Sequence, residues 1–253
     1  MEESKDRSVA VTEAFTEGVV NALGSKVYGI YTYGAAVFED GGPVQDVDCH
    51  VIVNEPLANS ERDALMALFK QLADSFGPLG GEVDAFFILL DDAKKSDPPR
   101  DQLKDISDKW WALHCAHVRG GRYRTLWGRE PSEIFPTPTW SQISAALLFE
   151  LEFIKGELAY PAYCVLNLCR VVQSFAEKDP VRSKHGSGLW ASEQFPDWTP
   201  LIQAAMRQYA KTADTDDDRL LQEQVRDFLR FAEDRIGEIE DTEPPNQSLQ
   251  GTS

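Results

Sequence analysis

The sequence predicts an α/β domain followed by an all-α helical bundle. Two observations carry that expectation. Up to Leu90 the apolar pattern switches between a helical period and short β-rich runs, in the order helix, strand, strand, helix, strand. Beyond a proline cluster at Pro131, Pro136 and Pro138, the apolar patterns keep the helical period. A chain of 253 residues, 42% of them hydrophobic, holds enough apolar material for one or two packed domains.

The first helix covers Val9 to Leu23, with Val11, Ala14, Phe15, Val19 and Leu23 at helical spacing and Gly24 as its stop. Lys26 to Thr32 reads as the first strand, a glycine-rich turn follows, and Asp46 to Val53 reads as the second. Ser60 to Phe76 is the next helix. Ser60 is its expected N-cap, and Leu65, Leu68, Phe69, Leu72 and Phe76 form its stripe before Gly77-Pro-Leu-Gly-Gly81 ends it. Glu82 to Leu90 is an apolar run entered by acids, as in a central strand that starts beside a polar cleft. Gln102 to His117 reads as helix. The prolines around Phe135 lack N–H donors and stiffen the chain, which sets the division into residues 1–135 and a bundle at 136–241.

In the bundle, Trp140 to Leu158 presents Ile143, Leu147, Leu151 and Ile154 on one face. Pro161 and Pro200 each suit the first turn of a further helix. Asp216-Asp-Asp218 precedes the last, where acids oppose the positive end of the dipole, and Leu221, Val225, Phe228, Leu229, Ala232 and Ile236 form its stripe. About five helices are expected. From Glu240 onward the apolar period is lost, and residues 242–253 read as a disordered tail.

A net charge of −17 would repel a phosphate backbone, which excludes a general nucleic-acid binder. A cationic substrate would be attracted, whereas a nucleotide would need a locally basic pocket. Cys49, Cys115, Cys164 and Cys169 form no Cys-x-x-Cys pair and suit a reduced interior. No run approaches the roughly 18 apolar residues that span a bilayer, and the start lacks a leader-type apolar segment. The expectation is a cytoplasmic protein without membrane or nucleic-acid partners, a monomer or weak dimer.

The chemistry is concentrated in Tyr33-Gly-Ala-Ala-Val-Phe-Glu-Asp-Gly-Gly-Pro-Val-Gln-Asp-Val-Asp48. On a strand, Asp46 and Asp48 project to the same side, about 6.5–7 Å apart at Cα. Two carboxylates that close repel unless a cation lies between them. Hard oxygen ligands suit Mg²⁺, which leaves its remaining positions to water and phosphates. Glu82 and Asp84 stand at i and i+2 on the neighbouring strand, and either could complete the metal shell or accept a proton from an attacking hydroxyl. Solvated strand acids are the plainer alternative for all four. His114 and His117 have helical metal-ligand spacing but no further ligand at zinc spacing, so they read as helix-surface residues.

The glycine turn and Asp-x-Asp resemble the signature of the nucleotidyltransferase superfamily. The spacing from Gly34 to Asp46 is similar to that of the aminoglycoside 3''-adenylyltransferases (streptomycin/spectinomycin adenylyltransferases). The likeness continues in Tyr163–Ser174 around Arg170, Ser183–Ala191 around Lys184 and Ile202–Tyr209, covering roughly residues 15 to 235.

The resemblance implies a polymerase-β-like mixed sheet, transfer of AMP from ATP to a hydroxyl of a small cationic acceptor, and Mg²⁺ on Asp46 and Asp48. It implies Glu82 or Asp84 as the catalytic acid-base residue. Nucleotide contacts would come from Gly34, Ala35, Gln45, Arg170, Lys184 and Tyr209, and acceptor contacts from Trp110 (or Trp111), Glu150 and Tyr160. Ala35 stands where the family has a phosphate-binding serine, and Gln45 where a serine precedes the aspartates. A lost hydrogen bond to a charged oxygen costs roughly 1.5–3 kcal/mol. The acid expected ten residues before Arg170 is Tyr160. These departures leave open a catalytically silent homologue that senses a ligand, or a transferase that modifies a protein or RNA.

Overall fold

The computed structural model describes residues 2–40, 44–95 and 97–241. The expected disordered tail, and Gly41 to Pro43 of the glycine-rich loop, lie outside the described residues. Helix α1 (Glu2–Leu23) leads into β1 (Val27–Tyr33), a 3₁₀ turn (Gly34–Val37) and β2 (Val47–Val53). Helices α2 (Asn59–Phe76) and α3 (Pro78–Gly81) precede β3 (Val83–Leu89), α4 (Leu90–Lys95), α5 (Trp111–Arg119) and β4 (Arg124–Gly128). The bundle comprises α6 (Trp140–Gly156), α7 (Pro161–Glu177), α8 (Lys184–Gln194), α9 (Thr199–Tyr209) and α10 (Thr215–Asp241).

Among the described residues the sheet has four strands in the order β3-β2-β1-β4. β1 runs antiparallel to β2 and β4, and β2 runs parallel to β3 with α2 in the connection, so the sheet is mixed. Alternation divides β2 between two cores. Cys49, Val51 and Val53 pack with Val11, Phe15 and Val19 of α1 and Leu65, Leu68 and Leu72 of α2. Ile52 packs on the other face with Trp111 of α5 and Phe135. Asp48 and His50 share that second face by the two-residue period.

The bundle encloses a third core, and all six residues of the α10 stripe are buried in it. Each fully buried residue of this kind contributes roughly 1.5–3 kcal/mol. Thr139 caps α6 by accepting from the Gln142 N–H, while the Gln142 side chain accepts from the Thr139 N–H. Pro161 occupies the first turn of α7. Helix α5 belongs to two cores, because Ala112, Leu113 and Ala116 join the bundle cluster while Trp111, Cys115 and Val118 face the sheet.

Several elements differ from the sequence expectation. Helix α1 extends back to Glu2. The first turn of α2 includes Ser60, and its cap is instead made by Glu61, whose carboxylate accepts from the Ala58 N–H at 2.6 Å. Residues 102–110 form no helix: the Asp101 carboxylate takes the N–H groups of Leu103 and Lys104, and Asp105 adopts φ +58°, so the chain turns before α5. β4 pairs with the outer edge of β1 and is short and largely exposed, which left little alternation to detect. α10 starts at Thr215, so the three aspartates fill its first turn, and it continues through Glu240. No helix among the described residues is long and apolar enough to cross a membrane.

Candidate active site

A cavity of ≈ 310 Å³ opens where β2 and β3 face the bundle. Its sheet wall holds Gly34, Ala35, Asp46, Asp48 and Asp84; its bundle wall holds Glu150, Arg170, Lys184 and Tyr209. Trp110, on the approach to α5, lines it as well. The cavity therefore gathers ten of the thirteen residues that the sequence suggested for the site, leaving out Glu82, Gln45 and Tyr160.

Asp46 lies immediately before β2 and Asp48 is its second residue, with buried Val47 between them. Parallel register sets Asp48 opposite Asp84. Burial first, then the charges of Asp46 and Asp84, push the Asp48 carboxyl well above the usual range, while Lys184 and Arg170 pull it down. Gly34 makes this packing possible: it adopts φ +71°, and a Cβ there would meet Asp48 Oδ2 at 1.9 Å. The Thr32 hydroxyl donates to the Asp48 carbonyl at 3.0 Å and fixes the strand beneath.

On the opposite wall, Lys184 is the first residue of α8, capped by Ser183, whose hydroxyl accepts from the Gly186 N–H at 2.9 Å. Its ammonium lies 5.0 Å from the Tyr163 ring centre and 5.7 Å from that of Tyr209. Burial lowers the Lys184 pKa and Arg170 adds to this, whereas Asp46 and Asp48 oppose it. Arg170 donates to Glu150 at 3.3 Å, and the Trp110 indole donates to the other Glu150 oxygen at 2.7 Å. Glu150, only 3% exposed, is thus paired on both oxygens.

Three expectations need correction. Glu82 ends α3 with φ −102° and ψ 32°, outside the strand alternation that brings Asp84 to the cavity. Asp84 lines the cavity and is paired with Lys104. Gln45 turns its amide to the Tyr209 carbonyl at 2.6 Å, a link between the two walls rather than a group free for a nucleotide. Tyr160, at the N-terminus of α7, is 65% exposed and does not line the cavity. Of the two tryptophans, Trp111 is buried against Phe135 and Trp110 reaches the cavity.

The two histidines of α5 also depart from the helix-surface expectation. His117 is buried, with Nε2 3.0 Å from the Pro180 carbonyl, and burial lowers its pKa to about 3. His114 Nδ1 lies 2.9 Å from Asp108, which also approaches His50. Sequence reasoning missed His50 and Asp108, separated by 58 residues and brought together by folding alone. The one available signal was the parity of Asp46, Asp48 and His50.

A mixed sheet with paired aspartates at one end thus faces a helical bundle across the cavity. Residues 136–235 match the family model described as the C-terminal domain of aminoglycoside adenylyltransferase. Among solved structures, the spectinomycin adenyltransferase AAD(9) from Enterococcus faecialis, crystallised with ATP and spectinomycin, is similar with a TM-score of 0.73. Identity is 16%, over 88% of this chain and 97% of that one. No curated protein matches. The segment 136–235 is thus similar to the C-terminal domain of aminoglycoside adenylyltransferases, and the fold of the chain is similar to that of AAD(9).

Proposed function

We propose that the protein is a Mg²⁺-dependent nucleotidyltransferase that moves AMP from ATP to a hydroxyl of a small cationic acceptor such as an aminoglycoside, an activity of the antibiotic-resistance type. The observation that carries this reading is the opposition of Asp46, Asp48 and Asp84 to Arg170 and Lys184 across one cavity. The acidic set fits a hard divalent ion: the donors are all carboxylate oxygens, burial and then the charges of Asp46 and Asp84 raise the Asp48 pKa, and the absence of a Cβ at Gly34 makes room for Asp48 Oδ2. Asp46 and Asp48 would hold Mg²⁺, with Asp84 completing the set. When bound there, the ion would offset phosphate charge and make the α-phosphorus more electrophilic.

Arg170 and Lys184 bind phosphate oxygens from the bundle side, and the capped N-terminus of α8 adds the positive end of its dipole. Tyr209 offers ring and hydroxyl to the nucleotide, and Trp110 with Glu150 forms the acceptor side. Residues 1–135 supply the carboxylates and 136–241 the cations, so closure of one part on the other accompanies binding.

The test is pyrophosphate release from Mg·ATP across a panel of aminoglycosides and related amino sugars, with product mass read in parallel. Steady release with an adenylylated product is the expected result. Ala35 and the engaged Gln45 amide favour one second reading, a silent homologue that binds nucleotide or a small molecule as a sensor. It predicts ligand-dependent thermal stabilisation without pyrophosphate. An Ala35→Ser variant would then bind ATP more tightly, by about tenfold or more for a hydrogen bond to a charged oxygen.

A further inference from the structure

One group of side chains beside the carboxylates has no part in the reaction as described so far. β2 alternation runs from Asp48 to His50, whose side chain is fully buried. His50 Nε2 at 3.3 Å and His114 Nδ1 at 2.9 Å converge on a single oxygen, Oδ2 of Asp108. Asp108 Oδ1 accepts from the Trp110 N–H at 3.1 Å, and the whole residue is 0% exposed. Two imidazoles and a carboxylate can also hold a metal ion. Such an ion, however, would leave His50 Nδ1 as a buried N–H, and that atom has no partner among the described residues. Metal-bound imidazoles almost always have one. The hydrogen-bonded arrangement, with both rings donating to Asp108, leaves His50 Nδ1 an unprotonated nitrogen instead, which costs less to bury unpaired than an N–H.

In that arrangement His114 commits Nδ1 to Asp108, and Nε2 is the ring nitrogen left for the cavity that His114 lines. The rings of Tyr33, His50 and Phe86 lie 4.7, 4.8 and 6.0 Å from its centre and restrict its rotation. Phe86 follows Asp84 by two residues on β3, and Trp110, bonded to Glu150, lies one turn before His114. His114 thus lines the same cavity as the carboxylates, Trp110 and Glu150. Asp84, placed in the metal set above, forms an exposed ion pair with Lys104.

We propose that His114 is a catalytic residue that accepts the proton of the acceptor hydroxyl, with Asp108 and His50 as positioning residues. This rests on the transfer reading above. The hydroxyl proton passes to Nε2 as its oxygen forms the bond to the α-phosphorus. The bond from that phosphorus to the bridging oxygen breaks, and pyrophosphate leaves with the electron pair. The imidazolium, stabilised by the Asp108 carboxylate, then gives its proton to water.

The experiment measures pyrophosphate release by the wild type, His114→Gly and Asp108→Asn with an acceptor from the panel. His114→Gly should lose about 10²- to 10⁴-fold in kcat with KM for ATP little changed, and free imidazole should restore part of the loss in a dose-dependent way. Asp108→Asn should lower kcat without imidazole rescue. An active wild type whose His114→Gly variant keeps its kcat, or loses it with no response to imidazole, overturns the inference alone. A wild type silent with every acceptor overturns the transfer reading and this inference together. Nitrogen-15 NMR of the wild type adds a readout independent of turnover and of variant folding: the neutral His114 ring should carry its proton on Nδ1. A proton on Nε2 instead would overturn the assignment.

Discussion

The two walls of the cavity are built in opposite ways. The sheet wall takes Asp46 and Asp48 from three consecutive positions, at the entrance and the second residue of β2. The bundle wall takes Glu150, Arg170, Lys184 and Tyr209 from four helices, and only packing assembles them. Their electrostatics differ as well. On the sheet wall burial first, and then the charges of Asp46 and Asp84, raise the Asp48 pKa, while on the bundle wall Arg170 and Glu150 already neutralise one another. A ligand carrying cation and phosphate relieves the first wall and competes with internal pairing in the second. Loss of charge should therefore harm chemistry alone on the sheet side, and chemistry and stability together on the bundle side.

Asp48→Asn gives the largest expected effect and tests the first half of that contrast. Transfer should fall by about 10²- to 10³-fold, the scale for removing one preorganised electrostatic group. Thermal melting should show no loss of stability, and a clear drop in Tm would mean that the crowding is not there. Arg170→Met should raise the ATP dissociation constant about tenfold or more and also cost about 3 kcal/mol in urea unfolding, because Glu150 stays buried without its cation. Equal stability of this variant and the wild type would break the comparison. Gly34→Ala should cost about 2 kcal/mol through its positive φ and the contact with Asp48, with weaker Mg·ATP binding by calorimetry. Gln45→Ala removes one bond between the walls and should cost about 1 kcal/mol by the same unfolding measurement.

What the sequence made legible follows the same contrast. Helical stripes such as Leu221 to Ile236 were readable because each reports a burial pattern within one element. The Asp46 and Asp48 pair was readable by parity, and Arg170, Lys184 and Tyr209 by family resemblance. Gln45 to Tyr209 spans 164 residues and His50 to Asp108 spans 58, and no local period records either contact. Glu82 and Asp84 looked equivalent because the alternation was extended one residue too far, into the end of α3. β4 escaped notice because an exposed edge strand needs no apolar alternation.

The placement of α5 has a consequence for how the molecule comes apart. One side of this helix seals the bundle core and the other seals a face of the sheet. Loss of either core therefore exposes one side of α5, which couples the unfolding of the two. A fragment cut at the proline connector would sever the bundle from three of its own core residues, Ala112, Leu113 and Ala116. The proline connector is therefore a boundary in chain composition that the bundle core reaches across.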